Sequence, residues 1–284
     1  MLNSDLRTVE IFAIGNELLV GQVQDTNTYW LIRSVTTLGA RVNRAAIIRD
    51  DYDHIAEELL AALRRGPRLI ITTGGLGPTE DDLTLRAIAR ALNLELREDP
   101  EALEMVRQRY AYLASVRPNF SAELNAARRK MALFPVGGKP LRNPEGAAPG
   151  MALDAPSAHP DGITTIVALP GVPAEMKAIF NTSLQPILAQ TIGSGAYMEH
   201  ALVLDKGDES RVAELLREVQ QHHPLVYVKS RGQRTGDGPP RLMVVFSMGG
   251  RDLALIRNEL IAAEQEAIAG LQRLGYRVVQ IIEA

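Results

Sequence analysis

The segment from Thr72 to Thr84, TTGGLGPTEDDLT, combines a glycine-rich loop with two adjacent carboxylates. Glycines let the backbone approach a ligand closely, and the N–H groups that open a following helix attract an anion. Asp81 and Asp82 would repel a bound phosphate unless a cation lies between them or they face sugar hydroxyls instead. The segment therefore predicts a phosphate site with either a cation or a sugar beside the acids.

Two familiar nucleotide-binding motifs do not match this loop. No Gly-Lys-Ser/Thr follows it, as a Walker A motif requires, and Glu80 stands where the dinucleotide fingerprint has its last glycine. Thr79 and Asp82 have the spacing of a capping box, so one alternative is that Asp82 only starts the next helix. That alternative leaves Asp81 without a role.

Strands and helices alternate along the first two thirds of the chain, which predicts an α/β domain. In such open sheets, ligands bind outside the carboxyl ends of the strands, so the loops 15–25, 72–84 and 170–177 are expected to converge on one crevice. The predicted strands are 9–14, 41–48, 68–73 and 164–169, and the predicted helices are 26–38, a segment marked by Ile55, Leu59 and Leu63, 100–116 and 122–133. The segment 135–150, rich in Gly and Pro, is expected to be a loop held against the sheet.

A change of composition near residues 193–195 predicts a boundary between two domains, 1–193 and 194–284. The second domain has the order β-α-β-β-α-β, which suits a small ferredoxin-like sandwich. Its predicted strands are 198–204, 225–229, 241–247 and 277–282, and its predicted helices are 209–221 and 252–271. It carries a basic patch of Lys229, Arg231, Arg234 and Arg241. Because it lacks a GXXG loop between two helices and has few interleaved aromatics, we expect no nucleic acid partner.

Composition excludes several classes of protein. The chain has 284 residues, of which 46% are hydrophobic, enough for a full core and about two domains. It contains no cysteine and has a net charge of −3, so thiolate chemistry is excluded and a global basic footprint is missing. Neither a signal peptide nor a run of about 18 apolar residues is present, so a soluble, cytoplasmic protein without a membrane partner is expected. The histidines and serines lack the spacing of a zinc site or a nucleophile elbow.

Further acids are expected at the same edge of the sheet as the glycine loop. Carboxylate oxygens suit magnesium or manganese, which keep several waters and bridge to substrate phosphates. A metal-bridged diphosphate is therefore the natural substrate. The polar residues that follow the first two strands or open the first helix are Glu17, Asp25, Asn27, Asp50 and Asp51.

The chain resembles the N-terminal part of the competence/damage-inducible CinA proteins, whose main domain belongs to the MoaB/Mog-like, molybdopterin-binding superfamily. Four segments carry the resemblance in order and spacing: AIGNELLVGQVQDTN at 13–27, TTGGLGPTEDDLT at 72–84, NPEGAAPGM at 143–151 and LPGVPAEMK at 169–177. The resemblance spans most of residues 8–190. It implies a three-layer domain with a mostly parallel sheet, then a small KH-like domain, without the C-terminal amidase domain of full-length relatives. It also implies a homo-oligomer, with a dimer favoured.

The resemblance implies an ADP-ribose pyrophosphatase type of activity, in which a nucleotide sugar is hydrolysed to AMP and ribose 5-phosphate. Glu17, Asp81 and Asp82 are the expected catalytic residues. Asp81 and Asp82 would also hold a divalent ion, which is Mg, Mn or Co. The expected nucleotide- and phosphate-binding residues are Thr73, Gly74, Gly75, Gly77, Thr79, Asn143, Gly146, Pro170, Gly171, Pro173 and Lys177.

Two alternatives remain open at this point. MoaB/Mog-like relatives bind molybdopterin and transfer an adenylyl group to it from ATP, and the same loop and acids would serve that chemistry. The other alternative is a non-catalytic nucleotide-binding module. It is motivated by Asn16, which stands where the family usually has an aspartate.

Overall fold

The computed structural model describes residues 7–117, 120–193, 195–233 and 240–283. The chain forms two compact units, one of residues 1–35 and 41–193 and the other of residues 36–40 and 194–284. The strands of the first unit are β1 (Thr8–Ile14), β2 (Arg41–Ile48), β3 (Leu69–Thr73), β4 (Leu96–Glu98), β5 (Leu133–Pro135), β6 (Lys139–Leu141), β7 (Gly150–Pro156) and β8 (Ile163–Leu169). Its helices are α1 (Asn16–Leu19), α2 (Asn27–Thr37), α3 (Tyr52–Arg65), α4 (Thr84–Ala91), α5 (Pro100–Val116), α6 (Ala126–Lys130), α7 (Pro173–Asn181) and α8 (Gln185–Thr191).

The main sheet of this unit has the order β2-β1-β3-β8-β7-β6. The four strands from β2 to β8 are parallel, and β7 and β6 run antiparallel to their neighbours. In the register of the sheet, Thr72 of β3 lies opposite Phe12 of β1 and Ala168 of β8. Because β1, β3 and β8 are parallel, their carboxyl ends meet at one edge.

Helices cover both faces of the main sheet. On one face Phe12, Ile70 and Ile166 pack into a core together with Leu59 of α3 and Val106 of α5. Successive strand residues point to opposite faces, and Ile11, Ile71 and Val167 are also fully buried. Buried residues of α2 and α7 supply the second layer, in which the rings of Trp30 and Phe180 meet edge to face at 5.0 Å. The predicted three-layer α/β fold with a mostly parallel sheet is confirmed.

Local capping residues set the helix ends that the sequence predicts well. The Asp99 carboxylate accepts a hydrogen bond from the Ala102 N–H at 2.8 Å, and Pro100 occupies the first turn of α5. Gly66 ends α3 in the left-handed conformation, with φ of 66°.

The predicted helix 122–133 is wrong at both ends. Asn125 caps a helix of only five residues, α6, by accepting the Arg128 N–H at 3.0 Å. Leu133 then begins β5, which pairs antiparallel with β4. The predicted loop 135–150 also contains the short strand β6, which pairs with the first residues of β7.

The second unit contains β9 (Ala196–Leu204), α9 (Ala213–His222), β10 (Tyr227–Gln233), β11 (Arg241–Gly250), α10 (Leu253–Arg273) and β12 (Val278–Glu283). The predicted β-α-β-β-α-β order is confirmed. The strands form an antiparallel sheet in the order β10-β11-β9-β12, whose core includes Leu202, Phe246, Val219 and Leu260. Of the predicted basic patch, Arg234 lies outside the described residues. None of the helices in the described part of the chain is long and apolar enough to span a bilayer.

Candidate functional site

Three loops converge at the carboxyl edge of β1, β3 and β8, as the sequence predicts, and Asn27 joins them. Asn27 opens α2, and only 8% of it is exposed. Its side-chain amide donates to Thr73 Oγ1 at 3.0 Å and to the Gly171 carbonyl at 2.8 Å. The Thr73 hydroxyl donates in turn to the Pro170 carbonyl at 2.9 Å. This chain of hydrogen bonds therefore joins the start of α2 to the segments that follow β3 and β8.

One atom of this network has no partner. The Asn27 Oδ1 is buried and accepts no hydrogen bond from the described residues. Both amide protons are used by Thr73 and Gly171, so the unused oxygen can only accept. A buried acceptor costs free energy when it is unpaired, and such atoms are normally satisfied by water or a ligand. Asn27 therefore offers an acceptor at the meeting point of the three loops.

The glycine loop is shaped by packing against its neighbours. Gly74 has φ of 111°, and a Cβ there would overlap the Ile14 carbonyl oxygen; Gly75 has φ of 64°, and a Cβ there would overlap the Thr84 hydroxyl. The Gly74 N–H donates to the Leu169 carbonyl at 2.9 Å. The expectation that Gly74 holds a phosphate through its N–H is therefore not met, because that donor is already used inside the sheet.

Thr79 and Asp82 form a closed turn before α4. The Asp82 carboxylate accepts the Thr79 N–H at 2.8 Å and also the Thr79 hydroxyl, and the Asp82 N–H donates to the Thr79 carbonyl at 3.1 Å. Helix α4 begins later, at Thr84, and its N-cap residue Leu83 supplies no side-chain hydrogen bond. Asp82 therefore does not cap α4. Among the described residues no side chain caps that helix, and its first N–H, that of Thr84, donates to the Gly75 carbonyl at 3.1 Å.

Lys130 of α6 fastens this turn to the rest of the domain. Its Nζ donates to the Asp82 carbonyl at 2.8 Å and to the Thr79 carbonyl. Burial lowers the pKa of Lys130, against the opposing effect of nearby acids led by Asp82. A small cleft lies here, lined by Gly75, Leu76, Gly77, Asp82, Leu85, Arg86, Lys130, Met131 and Leu133. The cleft thus combines glycine backbone, two cationic side chains and the Asp82 carboxylate.

Asp50, after β2, is the centre of an acidic cluster formed with Glu17, Asp81 and Asp82. Burial first, and then the negative charges of Asp82, Asp81 and Glu17, together raise the pKa of Asp50 to about 6, while Lys130 acts in the opposite direction. Its Oδ1 is buried and has no hydrogen-bond partner among the described residues. The pKa of Asp81 is lowered, mainly by a hydrogen bond from Thr79. The cluster therefore favours a positively charged partner.

The remaining polar residues near this edge divide into two groups. Asn16 and Glu17 are exposed on the short helix α1, with the Glu17 carboxylate folded back against Gly15. Asp25 accepts the Thr28 N–H at 3.0 Å, and Asp51 accepts the His54 N–H at 2.9 Å. Asp25 and Asp51 therefore serve as helix-start residues, which leaves Glu17 as the free carboxylate of this group.

The loop 142–149 is organised by Asn143. Its amide donates to Glu175 Oε2 at 2.7 Å and to the Ala148 carbonyl at 2.8 Å, and its Oδ1 accepts the Gly146 N–H at 2.8 Å. A Cβ on Gly146 would overlap the Glu175 carboxylate. Asn143 and Gly146 are thus engaged in holding the loop on α7, so they position the site and do not offer free groups to a ligand.

Two predicted binding residues lie on α7. Pro173 occupies its first turn, which fixes the backbone direction after Gly171. Lys177 extends its ammonium over the ring of Trp30, 5.7 Å from the ring centre. Trp30 stands one turn after Asn27 on α2, so Lys177 belongs to the layer formed by α2 and α7.

The acidic cluster fits a divalent ion held partly by other ligands. Across residues 7–117, 120–193, 195–233 and 240–283, no three histidine or carboxylate side chains are placed to hold a metal ion by themselves. Magnesium commonly uses only one or two carboxylates and completes its shell with waters and substrate phosphates. The unpartnered Asp50 oxygen and the mutual repulsion of the acids are the observations that match such an ion.

The predicted binding residues do not include the two cations of the cleft, Arg86 and Lys130. Lys130 stands in a basic run that is usually a solvated face, and its partners are backbone carbonyls 48 and 51 residues away. In the sequence, nothing distinguishes Arg86 from an ordinary solvent-exposed residue of a helix. The only available signal was that Arg86 falls two residues after the glycine segment, in the first turn of α4.

Known proteins resemble this chain in sequence and in structure. The sequence pattern of a family described as a probable molybdopterin binding domain matches residues 10–190. A protein of Aeropyrum pernix is 39% identical over 265 residues, which covers 93% of this chain and 94% of that protein. The crystal structure of the protein CinA, of unknown function, from Thermoplasma acidophilum aligns at 31% identity with a TM-score of 0.55 and covers 66% of this chain and 99% of that one.

Proposed function

Because the chain belongs to the family of probable molybdopterin binding domains, we propose that it is a cytoplasmic, metal-dependent hydrolase of ADP-ribose or a similar nucleotide sugar. The family is described as a probable molybdopterin binding domain, which implies a small-molecule ligand, and its match spans residues 10–190, where the site lies. The similarity to the CinA structure covers 66% of the chain. The reaction would split the diphosphate and release AMP and ribose 5-phosphate.

The observation that carries this proposal is the position of the acidic cluster beside the cationic cleft. Asp82 belongs both to the acidic cluster, with Asp50 and Asp81, and to the lining of the cleft that contains Arg86 and Lys130. A metal-bound diphosphate has both signs of charge and would interact favourably with the acids and the cations at once. A neutral pterin ring alone would leave the acidic cluster without a partner.

In this reaction the oxygen of a water attacks one phosphorus of the diphosphate, and the bond from that phosphorus to the bridging oxygen breaks. Arg86 and Lys130 bind the phosphate oxygens and stabilise the charge that develops on them. The exposed carboxylate of Glu17 orients the water and takes its proton. Asp50 with Asp81 or Asp82 would hold the divalent ion, which when bound neutralises phosphate charge and lowers the pKa of water.

The test is release of AMP from ADP-ribose by the purified chain, with magnesium, manganese or cobalt each added in turn after chelation. We expect turnover that needs a metal and is lost in Asp82→Asn, while the melting temperature and circular dichroism stay close to those of the wild type. Asp161→Asn, an exposed acid of the 157–162 turn, is the matched control and should retain full activity. Metal-independent turnover, or full activity in Asp82→Asn, would contradict the assigned roles.

A second candidate is adenylylation of molybdopterin with ATP, and it is favoured by the family description. Here the same groups would bind the ATP phosphates, and a pterin phosphate would replace water as the nucleophile. The two reactions differ in their products, because hydrolysis of ADP-ribose needs no acceptor while adenylyl transfer releases pyrophosphate only when the pterin is present. Pyrophosphate release that depends on molybdopterin, without AMP release from ADP-ribose, would select the second candidate.

A further inference from the structure

Helix α6, which ends with Lys130, has only five residues and is too short to be stable by itself. Forming the first turn of a helix costs more conformational entropy than its few hydrogen bonds return, so a helix of this length depends on contacts with its surroundings. The end of α6 is anchored by the buried residues Met131 and Ala132, which lead into β5. The beginning of α6 needs a second anchor.

Arg128 supplies this second anchor through hydrogen bonds to the backbone. Its Nη1 donates to the Ser121 carbonyl at 2.7 Å and to the Glu123 carbonyl at 2.6 Å. Both carbonyls belong to residues 120–125, the entry segment of α6, whose last residue, Asn125, caps the helix by accepting the Arg128 N–H. The guanidinium thus holds the entry segment against the helix that follows it.

Two aromatic rings hold the same guanidinium against α5. Its central carbon lies 3.8 Å from the centre of the Tyr110 ring and 5.4 Å from the centre of the Phe120 ring. The two rings are nearly parallel, with centres 5.9 Å apart and an interplanar angle of 9°. A planar guanidinium can stack on an aromatic face while its edge donates hydrogen bonds, a combination that the ammonium of lysine does not provide. Arg128 therefore connects α5, the entry segment and α6.

Arg128 and Lys130 extend from α6 in different directions. Residues two positions apart do not face each other on a helix. Lys130 binds the carbonyls of Thr79 and Asp82 and lines the cleft, whereas Arg128 contacts α5 and the entry segment. Apart from the effect of its charge, Arg128 can therefore influence the cleft only through α6.

We propose that Arg128 is a positioning residue of the phosphate site, which keeps α6 folded and thereby holds the Lys130 ammonium at the turn 79–82. The inference rests on the proposed function only in taking Lys130 as a group that binds phosphate. Arg129 does not share this role, because its pair with Glu98 is exposed to solvent and such pairs contribute little to stability.

Hydrogen exchange tests this link without any ligand. Arg128→Lys keeps the positive charge but loses the planar fork, so amide exchange should become faster in residues 126–130 and in residues 79–83. Arg107→Lys is the matched control, because Arg107 pairs with Glu104 within its own helix. In this control, both segments should exchange at the wild-type rate. Unchanged exchange of residues 79–83 in Arg128→Lys would overturn the inference.

Pyrophosphate binding, measured by titration calorimetry, tests the consequence for the site. Arg128→Lys should weaken binding about threefold to fivefold, a smaller loss than that caused by Lys130→Met, which removes the ammonium itself. In the double variant, Arg128→Lys should add less than about twofold to the effect of Lys130→Met, because the ammonium that it positions is already absent. Effects that multiply in the double variant would show that Arg128 acts independently of Lys130 and would overturn the inference.

A second variant covers the case in which circular dichroism shows Arg128→Lys to be poorly folded. Tyr110→Leu leaves Arg128 in place and removes the ring on which it stacks, so exchange in residues 79–83 should again increase and pyrophosphate affinity should fall. Wild-type exchange in Tyr110→Leu would count against the inference. Failure of the wild type to bind pyrophosphate would contradict the proposed phosphate site, whereas faster exchange in these variants would still support the link between Arg128 and Lys130.

Discussion

The side-chain amide of Asn27 donates to the hydroxyl of Thr73 at 3.0 Å, across 46 residues of sequence. Since Asn27 starts α2 and Thr73 ends β3, this one hydrogen bond ties the first motif of the chain to the second. The additional bond to Gly171 ties both to the fourth, which spans residues 169–177.

Removing this connection should affect both stability and ligand binding. Asn27→Ala leaves the Gly171 carbonyl without its donor and removes the Oδ1 acceptor, so we expect a loss of about 1 to 2 kcal/mol in the free energy of unfolding. Urea denaturation measures the stability, and titration calorimetry with ADP-ribose measures the affinity, which should fall. Asn43→Ala, on the exposed strand β2, is the control and should change stability by less than about 0.5 kcal/mol. Equal effects of the two variants would argue against a bridging role for Asn27.

Stability should depend on pH through Asp50. Its pKa in the folded chain is raised to about 6 from 3.8, so the folded state binds more protons and the stabilising effect is present below pH 4 and lost as pH rises through 6. At pH 7.5 the ionised carboxylate is therefore unfavourable. With chelator present, Asp50→Asn should stabilise the fold at pH 7.5 by roughly 1 to 2 kcal/mol, a range reduced for partial solvent exposure.

The pH series gives the control for this variant. The difference in stability between Asp50→Asn and the wild type should shrink towards zero near pH 4, and a difference that stays constant from pH 4 to 8 would contradict the raised pKa. At pH 7.5 a divalent ion should reduce the difference in stability between Asp50→Asn and the wild type, because the ion stabilises only the ionised carboxylate of the wild type. Thermal melts in matched buffers with and without magnesium measure both effects.

Lys130 should control the turn 79–82. Lys130→Met keeps the length of the side chain but removes the hydrogen bonds to the Thr79 and Asp82 carbonyls, so we expect faster amide hydrogen exchange in residues 79–83. The affinity for pyrophosphate should fall about tenfold, in line with the loss of one charge-assisted hydrogen bond.

Arg129→Met is the neighbouring control for this experiment. Arg129 pairs with Glu98 at the surface, 2.6 Å away, and does not reach the turn. Its variant should leave both hydrogen exchange and pyrophosphate affinity near those of the wild type. Similar losses in the two variants would indicate a general effect of positive charge on α6.

The substitution Asn16→Asp distinguishes a hydrolase from a non-catalytic binding module. If the chain only binds nucleotide because a carboxylate has been lost, Asn16→Asp should create hydrolysis or raise it greatly. If Glu17, Asp50, Asp81 and Asp82 already suffice, the wild type is active and the variant should change its rate by less than about tenfold. AMP release under saturating metal distinguishes the two, and inactivity of both proteins would contradict both accounts.

The residues that sequence reasoning located correctly are those whose environment is set by near neighbours. Asp99 and Pro100 start α5 through contacts within three residues, and the buried β-branched run before Gly74 predicts β3 from its composition alone. The convergence of the three loops followed from the general rule for the ends of parallel strands.

The features that sequence reasoning missed depend on distant partners. The helix predicted across 122–133 is cut short because Leu133 pairs with Glu98, a contact that spacing does not reveal. Lys130 belongs to the basic run of residues 128–130, but its ammonium binds two backbone carbonyls of a turn that precedes it by about fifty residues. Asn143 looked like a ligand contact, yet its hydrogen bonds all go to its own loop and to Glu175.

Strand β7 runs antiparallel to β8, and its direction determines where the loop that precedes it lies. Since β7 runs against β8, it begins at the edge where β1, β3 and β8 end, and Gly150 and Met151 lie beside the last residues of β8. The loop 142–149 therefore enters the site from the opposite direction to the three other loops. A domain of strictly parallel strands would need a further crossover helix to bring a fourth segment to that rim, whereas here an antiparallel strand delivers it with no added layer.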